Sequence, residues 1–166
     1  MQSLAARRTT AKNGRNGGGR EVEFPLAGSL GFLVRDANRA FQRLLERRIA
    51  PYGVTRGQWY FLRVLWDEDG LSQRELSARV GMMEPTTVIA LRSMEKAGLI
   101  RRARSVDDRR IAQVRLTPKA KRLRNRLLQL AREITEQGAE GIGRTELIAF
   151  SRTISRMTAN LDRIRS

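Results

Sequence analysis

A mainly α-helical chain with one small β-hairpin is what this sequence predicts, and three observations carry the prediction. Apolar residues recur at steps of three and four over most of the chain. Two short helical segments meet at a tight glycine-containing turn between residues 72 and 97. Two β-prone runs follow, separated by a polar stretch rich in arginine. The 166 residues are about one domain's worth, and 30% charged against 40% hydrophobic residues suits a core inside a charged surface.

Residues 1–20 hold Arg7, Arg8, Lys12, Arg15 and Arg20, four glycines and no acid, which predicts a disordered basic tail, here taken to residue 25. A transit peptide is the alternative, disfavoured because these arginines lack an accompanying apolar face. From Leu30, the spacing of Leu33, Ala37, Ala40, Phe41, Leu44 and Leu45 predicts an amphipathic helix that stops near Pro51-Tyr52-Gly53. Thr55 is placed as the N-cap of a short aromatic helix carrying Trp59, Leu62, Leu65 and Trp66, which Asp67-Glu68-Asp69-Gly70 breaks. Ser72-Gln73-Arg74-Glu75 is a capping-box pattern, in which hydroxyl and carboxylate satisfy each other's orphan backbone donors. Leu76 and Val80 give that helix its apolar edge and Gly81 ends it. Pro85 suits the first turn of the next helix, which runs to about Ala97 with Val88, Leu91 and Met94 inward and Gly98 after its end.

Leu99-Ile100 then begins one strand, and Ile111, Gln113, Val114 and Leu116 form another, giving a two-stranded hairpin around Ser105 to Arg110. Pro118 opens a long helix to roughly Gln137, with Leu123, Leu127, Leu130 and Ile134 on one side. A last helix carries Leu147, Phe150, Ile154, Met157, Leu161 and Ile164. The outer helices bear stripes that a small central unit is too small to cover, so pairing them between two chains is the expected solution. The domain reading is a tail over 1–25, a dimerisation helix over 26–54, a central unit of short helices and hairpin over 55–117 and dimerisation helices over 118–166.

Composition excludes much chemistry. With no cysteine there are no disulfides, thiolate catalysis, thiol redox sensing or cysteine-bearing zinc sites; with no histidine there is no Ser-His-Asp triad or HExxH site. No metal or cofactor is expected. Apolar runs are far shorter than the roughly 20 residues that cross a bilayer, so a soluble, cytoplasmic protein without a membrane partner is expected. The remaining enzyme reading would use carboxylates such as Glu75 and Glu95, but capping accounts for the first and helix-surface charge for the second. Net charge is +16, from 33 basic and 17 acidic residues. Setting aside the five basic residues of 1–20 still leaves the remainder at +11, a field that attracts a polyanion.

The stretch Leu99 to Arg115 concentrates that charge: Arg101, Arg102, Arg104, Arg109, Arg110 and Arg115 face only Asp107 and Asp108. Guanidinium groups pair bidentately with phosphate or guanine and enter narrow minor grooves, whereas an isolated charge run is ordinarily a solvated face. Its position directly after two short helices favours the nucleic-acid reading.

The ordered pieces Thr55-x-x-Gln58-Trp59, Leu71-Ser72-Gln73-Arg74-Glu75-Leu76, Met94-Glu95-Lys96-Ala97-Gly98-Leu99-Ile100-Arg101-Arg102, Asp108-Arg109-Arg110 and Val114-Arg115-Leu116-Thr117-Pro118-Lys119 resemble the MarR family of winged helix-turn-helix transcriptional regulators. The resemblance covers about Thr55 to Thr117 closely, and the flanking helices in pattern only. It implies a triangular homodimer whose N- and C-terminal helices form the interface and whose two winged lobes grip a pseudo-palindromic operator, with recognition helices about 34 Å apart. It implies a recognition helix from about Glu84 to Ala97, with Glu84, Pro85, Thr86, Thr87, Ala90 and Arg92 facing the major groove; helix capping is the alternative role of the two threonines. In the wing, Arg110 is expected in the minor groove, Asp108 to hold an arginine or simply turn the chain, and Arg109 and Arg104 near phosphates; Ser72 and Gln73 are placed at the DNA backbone.

Members of that family commonly answer a small ligand. The resemblance therefore implies a bacterial or archaeal, nucleoid-associated repressor released by an aromatic or phenolic carboxylate or its acyl-CoA thioester. Phe41, Tyr52, Trp59, Tyr60, Arg63 and Trp66 are the candidate pocket, with ordinary core packing as the alternative. The competing function is an architectural nucleoid protein that binds DNA with little sequence preference.

Overall fold

The computed structural model describes residues 25–104 and 112–164. Tail residues 1–24 and the hairpin tip with Asp108, Arg109 and Arg110 lie outside the described residues. Six α-helices and three strands follow in the order α1 (Leu30–Ile49), α2 (Arg56–Asp67), β1 (Leu71–Ser72), α3 (Gln73–Val80), α4 (Glu84–Lys96), β2 (Ile100–Arg104), β3 (Ala112–Leu116), α5 (Pro118–Gly138) and α6 (Arg144–Ile164).

Local chemistry sets most boundaries. Ser29 caps α1, accepting from the Phe32 N–H, and Thr117 caps α5 through the Ala120 N–H. Both α2 and α3 start with complete capping boxes, Thr55 with Gln58 and Ser72 with Glu75. Gly81 closes α3 at φ 71°, a left-handed conformation that glycine adopts without a Cβ penalty, and its N–H and that of Met82 both return to the Ser77 carbonyl.

The two-stranded hairpin expected from sequence is one strand short. β1 adds to the outer side of β3, giving an antiparallel sheet of order β1-β3-β2, with Leu71 opposite Val114 and Ile100 opposite Leu116. Asp69 extends this edge: its Oδ1 accepts from the Leu116 N–H at 2.8 Å, and its Oδ2 lies 3.3 Å from the Lys121 ammonium. Gly70, at φ 91°, lets the Arg115 guanidinium cross directly over the turn, where an added Cβ would come within 2.7 Å of it.

A single core runs through the helices and the sheet, from Leu45 and Ile49 of α1 through Phe61, Leu62, Leu65, Leu76, Leu91 and Met94 to Leu127, Leu130 and Ile134 of α5. The α5 stripe is therefore covered within the chain, chiefly by α1, and not left for a second copy as expected. By contrast, α6 buries none of its residues, and Phe150, Leu161 and Ile164 are exposed. The N-terminal half of α1 likewise exposes Leu30, Leu33 and Val34.

Candidate nucleic-acid interface

α4 is held rigidly from behind. Gln58 uses both ends of its buried amide: Oε1 accepts from the Thr55 N–H at 3.0 Å, and Nε2 donates to Ser93 Oγ on α4 at 3.0 Å. Ser77 of α3 donates to the Met82 carbonyl at 2.5 Å, which pins the turn leading into α4. At its far end Glu95 meets Arg102 of β2 at 3.3 Å. The helix-turn-helix and the sheet are thus one mechanical unit.

The exposed residues of α4 are Glu84, Pro85, Thr86, Ile89, Arg92, Ser93 and Lys96, of which Ser93 also turns its hydroxyl to Gln58. Of the residues expected in the groove, Glu84, Pro85, Thr86 and Arg92 are exposed and Ala90 is half-buried against the core. Thr87 corrects the expectation: it is fully buried, sharing the core side with Leu91 and Met94, and so does not face a groove. Leu91 and Met94 face inward as predicted, but the edge of the buried stripe falls on Thr87 and not on Val88, which is half-buried. No side chain caps α4, so neither threonine serves as its cap. Ile89, 70% exposed, and Met83, 77% exposed at the N-cap, were missed; apolar residues in a helical pattern are ordinarily assigned to the core.

Ser72 and Gln73 lie half-buried at the start of α3, beside the exposed Arg74. The Ser72 hydroxyl accepts from the Glu75 N–H, while its own N–H donates to Glu75 Oε2 at 2.8 Å. That backbone hydrogen bond holds the Glu75 carboxyl below its usual pKa. In β2, Arg101 and Arg102 are exposed, and the backbone of Arg104 closes the ladder opposite Ala112. On α5 the basic run is partly engaged inside the chain: Lys119 Nζ donates to the Ala97 carbonyl, Lys121 pairs with Asp69, and Arg126 Nε donates to Tyr52 Oη at 2.7 Å. Arg122 and Arg124 remain exposed.

The aromatic residues of the expected ligand pocket separate. Phe41, Trp59 and Tyr60 line one cleft of about 210 Å³ between α1, α2 and α5, together with Gln42, Leu45, Ala131, Ile134 and Thr135. Arg63 sits over the Trp59 ring, 5.9 Å from its centroid. Trp66 does not reach the cleft: it meets Trp59 edge to face at 5.9 Å and donates its indole N–H to the Ala120 carbonyl at 3.0 Å, a core role. Tyr52 is likewise outside the cleft lining, with its hydroxyl bound to Arg126. Gln42 was missed; its Oε1 is buried without a hydrogen-bond partner at the cleft wall.

No helix among the described residues is long and apolar enough to cross a membrane, and no group of acidic residues there is arranged to hold a metal ion. Residues 52–111 match the profile of the MarR family. The HTH-type transcriptional regulator TtmR of Methylorubrum extorquens (strain PA1) is 34% identical over 109 residues, 66% of this chain and 56% of that protein's length. The chain thus matches little more than half of that relative. A MarR transcriptional regulator from Methanosarcina mazei Go1 superposes with a TM-score of 0.74 at 29% identity, covering 81% of this chain and 97% of the other. The transcriptional repressor CouR bound to a 23-mer DNA duplex superposes with a TM-score of 0.73 at 26% identity, covering 82% of this chain and 99% of the other. The capped reader helices, the three-stranded winged sheet and these likenesses together place the chain in the MarR family of winged helix-turn-helix transcriptional regulators.

Proposed function

We propose that the protein is a sequence-specific DNA-binding regulator, acting as a homodimer on a pseudo-palindromic operator in the cytoplasm, and a repressor released by a small ligand. The observation that carries the reading is α4: a helix braced by Gln58, Ser77 and Glu95, presenting exposed Pro85, Thr86 and Arg92 beside the exposed arginines of β2. Bracing matters because base readout needs a side chain aimed within tight limits, whereas phosphate attraction alone does not. In this reading Arg92 contacts a base edge or a nearby phosphate, Ser72 and Gln73 approach the backbone, and Arg104, Arg109 and Arg110 reach along the wing with Asp108 shaping its tip.

The homodimer follows from α6 and the N-terminal half of α1, whose apolar faces are uncovered in a single chain. Two recognition helices then meet successive major grooves about 34 Å apart. The ligand reading rests on the cleft of Phe41, Trp59 and Tyr60, which suits a flat apolar ring; Arg63 and the unpartnered Gln42 Oε1 offer a cation and an acceptor nearby. A ligand there acts by preferring one spacing of the two lobes, and DNA must weaken it by the same factor.

The test is competition at about 150 mM salt, where phosphate attraction is already weakened. A fluorescent duplex from upstream of the protein's own gene, or one selected from random DNA, is challenged with excess random duplex. Preference of about 10³-fold or more is the expected result. Equal competition by every duplex, the selected one included, would sink the regulator and leave an architectural DNA-binding protein. The same complex, titrated with aromatic acids and acyl-CoA thioesters, tests release.

A further inference from the structure

The surface that α4 presents is not uniformly polar. Between the end of α1 and Ile142, the large apolar side chains left exposed among the described residues are Met83 and Ile89, and both belong to α4 or its N-cap. The other exposed apolar residues lie on or beside α1 and α6, and of these Phe41 lines the cleft described above. Ile89 is 70% exposed, midway along the helix, one turn beyond Pro85 and one turn before Arg92. Among the described residues no partner covers it.

Isoleucine has neither donor nor acceptor, so in a major groove it gains only by covering an apolar base edge. The 5-methyl group of thymine is the apolar feature that edge offers. Ile89 and Arg92 are about 4.5 Å apart along the helix axis, against a base-pair rise of about 3.4 Å. We infer that Ile89 is a specificity-determining residue that reads a thymine 5-methyl group in each half-site, one or two base pairs from the base or phosphate that Arg92 contacts. This rests on the reading of α4 as the helix that enters the groove.

The experiment uses the full chain and a duplex selected from random DNA, with each thymine replaced singly by 2′-deoxyuridine. That change removes one methyl group and keeps the pairing. Wild-type protein should lose about fourfold in affinity at one thymine per half-site, the ratio that goes with one buried methyl. Ile89→Ala should bind less tightly and show no loss at that thymine. Because Ile89 is exposed, the variant should melt as the wild type does. Insensitivity of the wild type to every uridine, or the same sensitivity in Ile89→Ala, would overturn the inference while leaving the regulator standing. Failure of selection to yield any preferred duplex would overturn the groove reading itself, and this inference with it.

Discussion

Thr87 carries a hydroxyl into the core, and its Oγ1 has no hydrogen-bond partner there. Burying such a group without a bond is unfavourable, so Thr87→Val, which keeps the shape and removes the polar atom, should stabilise the protein by about 1 kcal/mol in urea unfolding. Operator affinity should not change; a drop would mean that the side chain reaches DNA after all. Ser72 presents the opposite case. Its hydroxyl satisfies an orphan N–H of α3, and Ser72→Ala should cost about 1 kcal/mol. Its partner Glu75 has a lowered pKa in the folded chain, so its contribution is present above the ordinary carboxylate range and is lost as pH falls through the lowered value. The stability advantage of wild type over Glu75→Gln should therefore shrink on acidification, as thermal melts across that pH range would show; a difference independent of pH would mean that the ionised carboxylate is not what caps α3.

Among the elements, the small sheet depends most on residues outside it. Asp69 supplies an acceptor to the Leu116 N–H just ahead of β1, and ties α5 through Lys121. Asp69→Ala leaves a nearly buried backbone donor unpaired and should cost about 2 kcal/mol, with weaker operator binding because the base of the wing loosens. Stability unchanged in chemical unfolding would refute the tether. Gly70 belongs to the same corner: Gly70→Ala forces a side chain into a left-handed conformation and against the Arg115 guanidinium. The capping box at Ser72 and the N-cap at Thr55 were legible because each is complete within four residues, although the reciprocal bond from Gln58 at Thr55 was not read. β1 was not, because two residues carry no periodicity and their partners, Gln113 and Val114, stand some forty positions away.

For the whole molecule, the unburied α6 is the feature that a single chain leaves unexplained. Phe150 and Leu161 are each more than 60% exposed, so Leu161→Glu should leave the monomer folded, as judged by circular dichroism and melting. Sedimentation equilibrium should then show a monomer in place of a dimer, with operator affinity falling because the two half-sites bind independently. A dimer that persists with Phe150→Glu and Leu161→Glu combined would place the interface elsewhere. The α5 stripe, by contrast, was assigned to a second chain and belongs to the first, since α1 folds back over it. A stripe's existence is written in its spacing; which surface covers it is not.

By itself the sequence determined the helix order, the caps and stops, the reader pair followed by an arginine-rich hairpin, and the absence of cysteine and histidine chemistry, because all of these rest on residues near one another along the chain. Tertiary structure decided where the edges of the apolar stripes fall and what covers them. It turned Thr87 into core and Ile89 outward, sent Trp66 to the Ala120 carbonyl, and gathered Phe41, Trp59 and Tyr60 at one cleft. The physical reason is that spacing fixes which positions share a face but not where the edge of that face falls, since a small turn about the helix axis leaves composition and period untouched. Only packing against particular neighbours selects the phase, and the phase decides which residues are available to DNA.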